Sequence, residues 1–138
     1  MTNQRVLLDT DILSAIMRKQ PQAVIKAQAY LSIHQHFTFS VITRYEIMRG
    51  LKAENATTQL RAFEAFCDVN VIIPLTDIII VHAADIYADL HQRGKLIGDA
   101  DILIAASAVA HDYTLVTNNE SHYQRIMGLT IENWLHQA

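Results

Sequence analysis

The sequence has little of what a disulfide scaffold, a linker or a membrane anchor requires. It contains one cysteine, Cys67, with only 4 glycines and 2 prolines, so an internal disulfide framework and a loop-built scaffold are both excluded. The longest nearly apolar run, residues 102–110, is much shorter than the ~18 residues that a membrane helix needs. Residues 1–8 form a short polar lead without the apolar segment of a secretion signal. We therefore expect a protein of the reducing cytoplasm that has no membrane anchor.

Positive charge is also scarce. The chain has 11 Lys and Arg residues against 14 Asp and Glu residues, which gives a formal net charge of −3. Proteins that bind nucleic acid mainly by neutralising phosphates usually carry a basic surface. A role with nucleic acid would therefore need a local basic patch, or a surface assembled across a dimer.

The hydrophobic pattern predicts a single α/β domain over residues 1–138. Hydrophobic residues make up 51% of the chain, enough for a sizeable core. Short apolar runs typical of strands fall at residues 5–8, 37–39, 71–73 and 114–117, with a fifth candidate at 129–131. Amphipathic helical patterns separate these runs. Because strands that alternate with helices build parallel sheets, we expect a short, mainly parallel central sheet of four to five strands.

The predicted helices show recognisable starts and apolar stripes. The first runs from Asp11 toward Lys19, Pro21 opens the second, and Ser40 is placed to cap the third. Further helical patterns cover residues 58–66, 79–90 and 102–113. Two of the predicted stripes are Val41, Ile42, Tyr45, Met48 and Leu51 after Ser40, and Ile79, Ile80, Ala83, Ala84, Tyr87 and Leu90 after the third strand.

Polar side chains follow two of the predicted strands and open one helix. Asp9, Thr10 and Asp11 come after the first strand, Asn118 and Asn119 after the fourth, and residues 98–101 begin a helix. Any one acid in such a position is explained as a helix cap, because helix N-termini favour carboxylates. Ligands of parallel sheets bind beyond the carboxyl ends of the strands. Three polar groups at one sheet edge therefore indicate a site as well as caps.

Glu46 is a further acid of interest. It shares a helix face with Ile42, four residues earlier, so its carboxylate lies at the margin of the apolar stripe. An acid in that position needs a partner, because burying an unpaired charge is costly. The partner is either Arg49, three residues later, or a cation held in a functional site.

The available side chains favour a hard cation. No Cys-x-x-Cys or His-Glu-x-x-His motif occurs, and His34 and His36 have no second ligand pair at a zinc-like spacing. Carboxylate and amide oxygens suit Mg²⁺ or Mn²⁺. The sequence also lacks the glycine-rich motifs of dinucleotide and nucleoside-triphosphate sites. These absences favour phosphoryl chemistry that uses a divalent ion.

Five segments resemble, in order along the chain, the motifs of PIN-domain proteins, and the most similar type is the VapC toxin. They are LLDTDIL at 7–13, RYEIMRG at 44–50, IGDADILIAA at 97–106, LVTNN at 115–119 and the ending at 128–134. The resemblance implies a PIN-like, three-layer α/β/α fold. It also implies a Mg²⁺-dependent endoribonuclease, with Mn²⁺ as a substitute, that belongs to a type II toxin–antitoxin pair and is neutralised by a cognate antitoxin.

The resemblance assigns the catalytic positions to Asp9, Glu46, Asp101 and Asn119. It implies that Asp9, Asp101 and Glu46 form the metal site, with Asp99 as a further ligand, a helix cap or a group that supports the ligands. Asn119 stands where the family often has an acid, so this sequence departs from the pattern and offers one charge fewer for a second metal ion. The family products would carry a 5′-phosphate and a 3′-hydroxyl.

RNA binding would fall to basic residues close to these motifs. Arg44, Arg49 and Lys52 lie near Glu46 and are our candidates for RNA contacts, since Arg and Lys side chains commonly bind nucleic-acid phosphates. Arg93 and Lys95 precede the third motif and are further candidates. The family resemblance also implies a homodimer.

Two alternatives remain at the level of sequence. A haloacid-dehalogenase-type phosphatase would use Asp9 and Asp11 as nucleophile and acid/base, but it leaves Glu46 without a role. A PIN-fold binding module without catalysis would explain Asn119 and the acidic net charge. A response-regulator receiver is disfavoured, because Lys95 is the last lysine of the chain.

Overall fold

A five-stranded parallel sheet forms the centre of the protein in a computed structural model that describes residues 4–136. The spatial order is β3-β2-β1-β4-β5, and every neighbouring pair is parallel. The strands are β1 (Val6–Leu8), β2 (Thr38–Ser40), β3 (Val71–Ile73), β4 (Thr114–Val116) and β5 (Ile131–Glu132). The predicted parallel sheet is confirmed, and each strand begins within two residues of its predicted start.

Helices cover both faces of the sheet and make the three predicted layers. One face is packed mainly by the first four helices and the other by the last three. The helices are α1 (Thr10–Met17), α2 (Pro21–His34), α3 (Val41–Ala53), α4 (Thr57–Asp68), α5 (Asp77–Gln92), α6 (Asp99–His111) and α7 (Glu120–Tyr123). The sequence analysis did not predict α7, because 4 residues are too few to show a helical period.

The alternation of side chains along the central strands creates a core on each face. Leu8 and Val116 enter the core beneath α1 to α4, whereas Leu7 and Leu115 enter the core beneath α5 and α6. Successive residues of a strand point to opposite faces, and a strand covered on both faces must be apolar throughout. This requirement explains why β1 and β4 read as continuous apolar runs, and why the first polar side chains appear where the strands end.

Two predicted apolar stripes were wrong in detail. On α3, Tyr45 is 59% exposed, and the side chains that are buried are Thr43 and Ile47. On α5, Ile80 and Tyr87 are 46% and 45% exposed. Both helices are covered along a narrow strip only, so part of each apolar stripe remains at the surface.

Helix α5 is 16 residues long and packs its buried side chains, Ile79, Ala83 and Leu90, into the same core as α6. Ile86 is partly buried against this core, whereas Ile78, Ile80, Val81 and Tyr87 are exposed. Of the helices described over residues 4–136, none is both long enough and apolar enough to cross a membrane.

The aromatic residues in the core beneath α1 to α4 should contribute much of the free energy of unfolding. Phe39 is fully buried in β2, with its ring 6.4 Å from that of Phe63 and 6.1 Å from that of Phe66. We expect Phe39→Ala to reduce the free energy of unfolding by about 3–5 kcal/mol, because it removes a buried ring and leaves a cavity. Urea denaturation measures the loss. The control, Tyr45→Ala, removes an exposed ring and should cost less than about 1 kcal/mol; equal losses for the two variants would contradict the assigned core.

Candidate active site

The candidate site lies where β1 and β4 end side by side. Leu8 pairs with Val116 in the parallel register, so the next residues of the two strands, Asp9 and Thr117, are neighbours. The Asp9 amide donates to the Val116 carbonyl at 2.9 Å, and the Thr117 hydroxyl donates to Asp9 Oδ2 at 2.8 Å. The parallel sheet therefore brings two distant polar segments together at its carboxyl edge, as expected of ligand sites in such sheets.

Asp9 is a buried carboxyl group with two direct hydrogen-bond donors. It is only 5% exposed, and its Oδ1 accepts from the amide of Thr10 at 2.8 Å, which makes Asp9 the N-cap of α1. Burial is the largest cause that raises the Asp9 pKa from 3.8 to about 7, followed by the charge of Asp11 and, more weakly, that of Asp101. The donors Thr117 and Thr10 oppose this rise. A cation bound nearby would reverse it by favouring the charged form.

Asp11 holds the start of α1 against the end of β4. Its Oδ1 accepts from the amide of Ile12 at 2.7 Å, and its Oδ2 accepts from the amide of Asn118 at 3.0 Å. Burial raises its pKa, and these two backbone donors oppose the rise. The sequence analysis expected Asp11 to cap the first helix; the cap is Asp9, and Asp11 lies in the first turn.

Glu46 lies on the same side of the fold as Asp9. The Thr10 hydroxyl donates to Glu46 Oε1 at 2.6 Å, and the same hydroxyl oxygen lies 3.0 Å from that of Thr43. Arg49 approaches Glu46 Oε2 at 3.8 Å from a 59% exposed side chain, so this ion pair is a weak partner. Thr10 thus links the acid of α3 to Asp9, because its hydroxyl donates to Glu46 and its amide donates to Asp9.

Asp101 reaches the site from the first turn of α6. Its Oδ2 lies 3.3 Å from Nδ1 of His122 on α7, and the side-chain amide of Asn119 lies 2.8 Å from the same nitrogen. Asn119 is also tied to the edge of the sheet, because its amide N–H donates to the Thr117 hydroxyl at 3.0 Å. The structure therefore brings Asp101 and Asn119 together through a histidine.

Asp99 has a different setting. It is exposed and lies one position inside α6, whose N-cap is Gly98. Asp99 is therefore not the capping residue, and its predicted part in metal binding remains a prediction.

Three polar residues of the site were missed by the sequence analysis. Thr10 bridges two acids, Thr117 supports Asp9, and His122 contacts Asp101. The positions of Thr10 and Thr117, each next to a residue already singled out, were a usable signal. His122 was not predicted as a site residue, because its contact with Asp101 depends on the unpredicted helix α7.

The donor set suits a hard divalent cation. The oxygens of Asp9, Asp101 and Glu46 are the kind that Mg²⁺ and Mn²⁺ prefer. Over residues 4–136, no group of three His, Cys, Asp or Glu side chains is arranged to enclose an ion by protein ligands alone. Mg²⁺ in proteins is usually held by one or two carboxylates and keeps several waters, so a magnesium site here would not need a third protein ligand.

The basic residues predicted to contact RNA share one surface. Arg44, Arg49 and Lys52 line a shallow groove of about 320 Å³ on α3. The remaining lining residues are Val41, Tyr45 and Met48. The Arg49 guanidinium lies 5.1 Å from the centre of the Tyr45 ring and also approaches Glu46, so this basic groove adjoins the acidic site.

The two other basic residues predicted to contact RNA, Arg93 and Lys95, differ in their surroundings. Arg93 forms an ion pair with Asp89 at 2.6 Å, so its charge is already partly compensated. Lys95 is exposed in the turn between α5 and α6.

Comparisons with known proteins agree with this geometry. The PIN domain family pattern matches residues 6–126. Ribonuclease VapC2 of Rickettsia felis is 30% identical over 129 residues, which is 93% of this chain and 96% of that protein. Ribonuclease VapC1 of Methanocaldococcus jannaschii is 30% identical over 122 residues, which is 88% of this chain and 81% of that protein.

Solved structures agree as well. VapBC2 from Rickettsia felis bound to a DNA fragment from its promoter contains a chain that superposes with a TM-score of 0.83 and 28% identity, over 94% of this chain and 98% of that one. VapBC-1 from nontypeable Haemophilus influenzae gives a TM-score of 0.84 and 26% identity, over 95% and 98% of the two chains. The chain therefore belongs to the PIN-domain family and, within it, to the VapC ribonucleases.

Proposed function

We propose that this protein is a Mg²⁺-dependent endoribonuclease, the toxin of a type II toxin–antitoxin pair. PIN-domain ribonucleases depend on a divalent metal; the choice of Mg²⁺ rests on the donor set. The observation that carries the proposal is the setting of Asp9. It is a 5% exposed carboxyl group whose pKa is raised to about 7 among neighbouring acids, and Asp101 and Glu46 reach the same edge of the sheet.

In this proposal Asp9 and Asp101 would hold the divalent ion, directly or through water, and Glu46 would complete the anionic pocket. When bound, the ion supplies charge neutralisation at the phosphate and lowers the pKa of a bound water. Thr117 and the Thr10 amide fix the Asp9 carboxylate, and the Thr10 hydroxyl fixes Glu46. Asn119 orients the neighbouring histidine and adds no charge. Attack by water at phosphorus, with the P–O3′ bond broken and the leaving 3′ oxygen protonated, would give a 5′-phosphate and a 3′-hydroxyl.

RNA is the proposed substrate, and the basic groove of Arg44, Arg49 and Lys52 is the surface that we expect to contact its phosphates. The groove supplies the local basic patch that an acidic protein needs for such a substrate. The cytoplasm, where such RNA is found, is the location that we expect for the enzyme.

An antitoxin is the proposed protein partner. Its support is the likeness to chains solved as VapBC complexes. A second groove, of about 540 Å³, runs between α1 and α3 and includes Thr10 and Glu46 in its lining. A partner segment lying in this groove would cover Glu46 and so block the site. The homodimer implied by the family resemblance remains a prediction.

The phosphatase alternative has less support. Both carboxylate oxygens of Asp11 accept backbone hydrogen bonds, from Ile12 and Asn118. The carboxylate therefore holds the start of α1 and is poorly placed to act as the acid or base of a phosphatase. A binding module without catalysis is separated from our proposal by the cleavage assay below.

Removal of a proposed ligand should abolish activity. Asp9→Asn and Asp101→Asn each preserve the size of the side chain but remove a charge that the metal needs. We expect each to reduce RNA cleavage by at least about 100-fold, in line with the loss of a main electrostatic group, in an assay with antitoxin-free protein and Mg²⁺. The matched control is Asp112→Asn, at the left-handed C-cap of α6, which should keep full activity. Full cleavage by either site variant would contradict the assignment.

Metal binding should stabilise the fold. The wild-type protein should melt at a higher temperature in Mg²⁺ than in EDTA, because the ion relieves repulsion among the clustered carboxylates and binds only the folded state. At an ion concentration of ~100 Kd the gain is about 2.7 kcal/mol. Asp9→Asn should lose most of this gain and Asp112→Asn should keep it. Superimposable melting curves of the wild type in Mg²⁺ and EDTA would count against the site.

The raised pKa of Asp9 predicts a pH-dependent cost in the metal-free protein. The pKa is 3.8 as the ordinary value and about 7 in the fold, so the folded state binds more protons between these values, and its stability falls as the pH rises through this window. The cost is complete above pH ~7. In EDTA, Asp9→Asn should therefore stabilise the protein more at pH 8 than at pH 5, by up to about 2 kcal/mol in urea denaturation. An equal gain at both pH values would show that the carboxyl titrates normally.

A further inference from the structure

Tyr123 is a buried tyrosine directly behind the acidic site. It is the last residue of α7, which begins just after the end of β4. Its side chain is fully buried, in the core that also contains Leu7, Leu115 and Ile102. The residue before it, His122, contacts Asp101. The phenol ring therefore approaches the site from its core side, where no solvent reaches it.

The hydroxyl group of Tyr123 has no hydrogen-bond partner among residues 4–136. Buried polar groups almost always have one, and an unpaired group in a native fold calls for an explanation. The other buried tyrosine shows the usual arrangement: the Tyr30 hydroxyl accepts from the amide of Val6 at 3.1 Å. The core of this protein thus provides a hydrogen-bond partner for the Tyr30 hydroxyl. The buried tyrosine hydroxyl that lacks one, that of Tyr123, lies beside the carboxylates.

The surroundings of this hydroxyl are acidic. Burial is the largest cause that raises the Tyr123 pKa above its ordinary value, followed by the charges of Asp9 and Asp101, an interaction of the hydroxyl with the Asp101 carboxylate, and the charge of Asp11. The hydroxyl therefore keeps its proton at any physiological pH and can donate a hydrogen bond. Of these acids, Asp101 is the one whose carboxylate lies near enough to interact with the hydroxyl, although without the distance and angle of a well-formed hydrogen bond.

Asp101 is the acid that lacks firm support. Asp9 already accepts from Thr117 and from the Thr10 amide, at 2.8 Å in each case. Asp101, by contrast, has a histidine nitrogen at 3.3 Å, which is a long contact for a charged hydrogen bond. A ligand that must hold an ion in one orientation needs a donor behind it.

We propose that Tyr123 is a positioning residue that donates its hydroxyl hydrogen bond to the Asp101 carboxylate when the site holds its divalent cation. This inference rests on the proposed function. The donor sits on the core side and the ion on the open side, so the carboxylate is fixed between them. The hydroxyl that lacks a well-formed hydrogen bond in the core is then the donor that fixes this ligand.

Tyr123→Phe tests the proposal, because it removes the hydroxyl and keeps the ring. We expect the variant to melt in EDTA at the wild-type temperature or above, since the lost group was unpaired. The Mg²⁺ concentration that gives half of the metal-induced rise in melting temperature should increase at least about tenfold, the usual effect of removing a group that supports a ligand. Cleavage should be impaired at low Mg²⁺ and recover at saturating Mg²⁺.

The matched control is Tyr30→Phe. It removes the hydroxyl that accepts from Val6, so it should lower the melting temperature in EDTA and leave the half-saturating Mg²⁺ concentration unchanged. A wild-type half-saturating concentration in Tyr123→Phe would overturn the proposal.

A double variant separates Asp101 from other acceptors. In an Asp101→Asn background, Tyr123→Phe should cause no further change in the Mg²⁺-induced shift; an undiminished effect would show that the hydroxyl acts on another group and would overturn the assignment to Asp101. Absence of both Mg²⁺ stabilisation and cleavage in the wild-type protein would instead refute the proposed function itself.

Discussion

The hydrogen bond from Thr117 to Asp9 joins residues that are 108 positions apart, and the site is built around it. It exists because β1 and β4 pair in parallel at the centre of the sheet, with Leu8 opposite Val116. A shift of that register by one residue would turn the apolar side chains of a strand to the wrong face. The two cores therefore hold the register, and the register holds the first acid beside its donor at the carboxyl edge.

The same arrangement lowers the stability of the metal-free protein, because the proposed function requires several acids close together. Asp9 is buried deeply enough for its pKa to rise to about 7, and Asp11 and Asp101 add like charge around it. Such a cluster weakens the metal-free fold, whereas a bound divalent ion converts the repulsion into attraction. The backbone donors that hold Asp11 and the hydroxyl of Thr10 that holds Glu46 keep the acids in place while the ion is absent. The protein thus carries a preformed acidic edge, which would gain stability from a bound divalent ion.

Much of the fold could be predicted because its signals are local. Apolar runs bounded by polar caps located the strands, and the rule that ligands bind at the carboxyl edge of a parallel sheet placed Asp9 correctly near Asp101. The side of α3 that is buried could not be predicted, since Tyr45 and Ile47 can each occupy a core position and only packing against α1 and α4 decides between them. The role of His122 could not be predicted either, because α7 is too short to show a helical repeat in the sequence. In both cases the missing information was which residues come into contact in the folded protein.

The central claim is that the carboxylates at this edge hold one divalent ion for catalysis. Anomalous diffraction from crystals soaked in Mn²⁺ tests it most directly, because Mn²⁺ scatters anomalously and accepts the same oxygen ligands as Mg²⁺. The account predicts a single strong anomalous peak in contact with Asp9 or Asp101, directly or through water, and no such peak in crystals of Asp9→Asn. A peak elsewhere in the molecule, in protein that cleaves RNA, would contradict it.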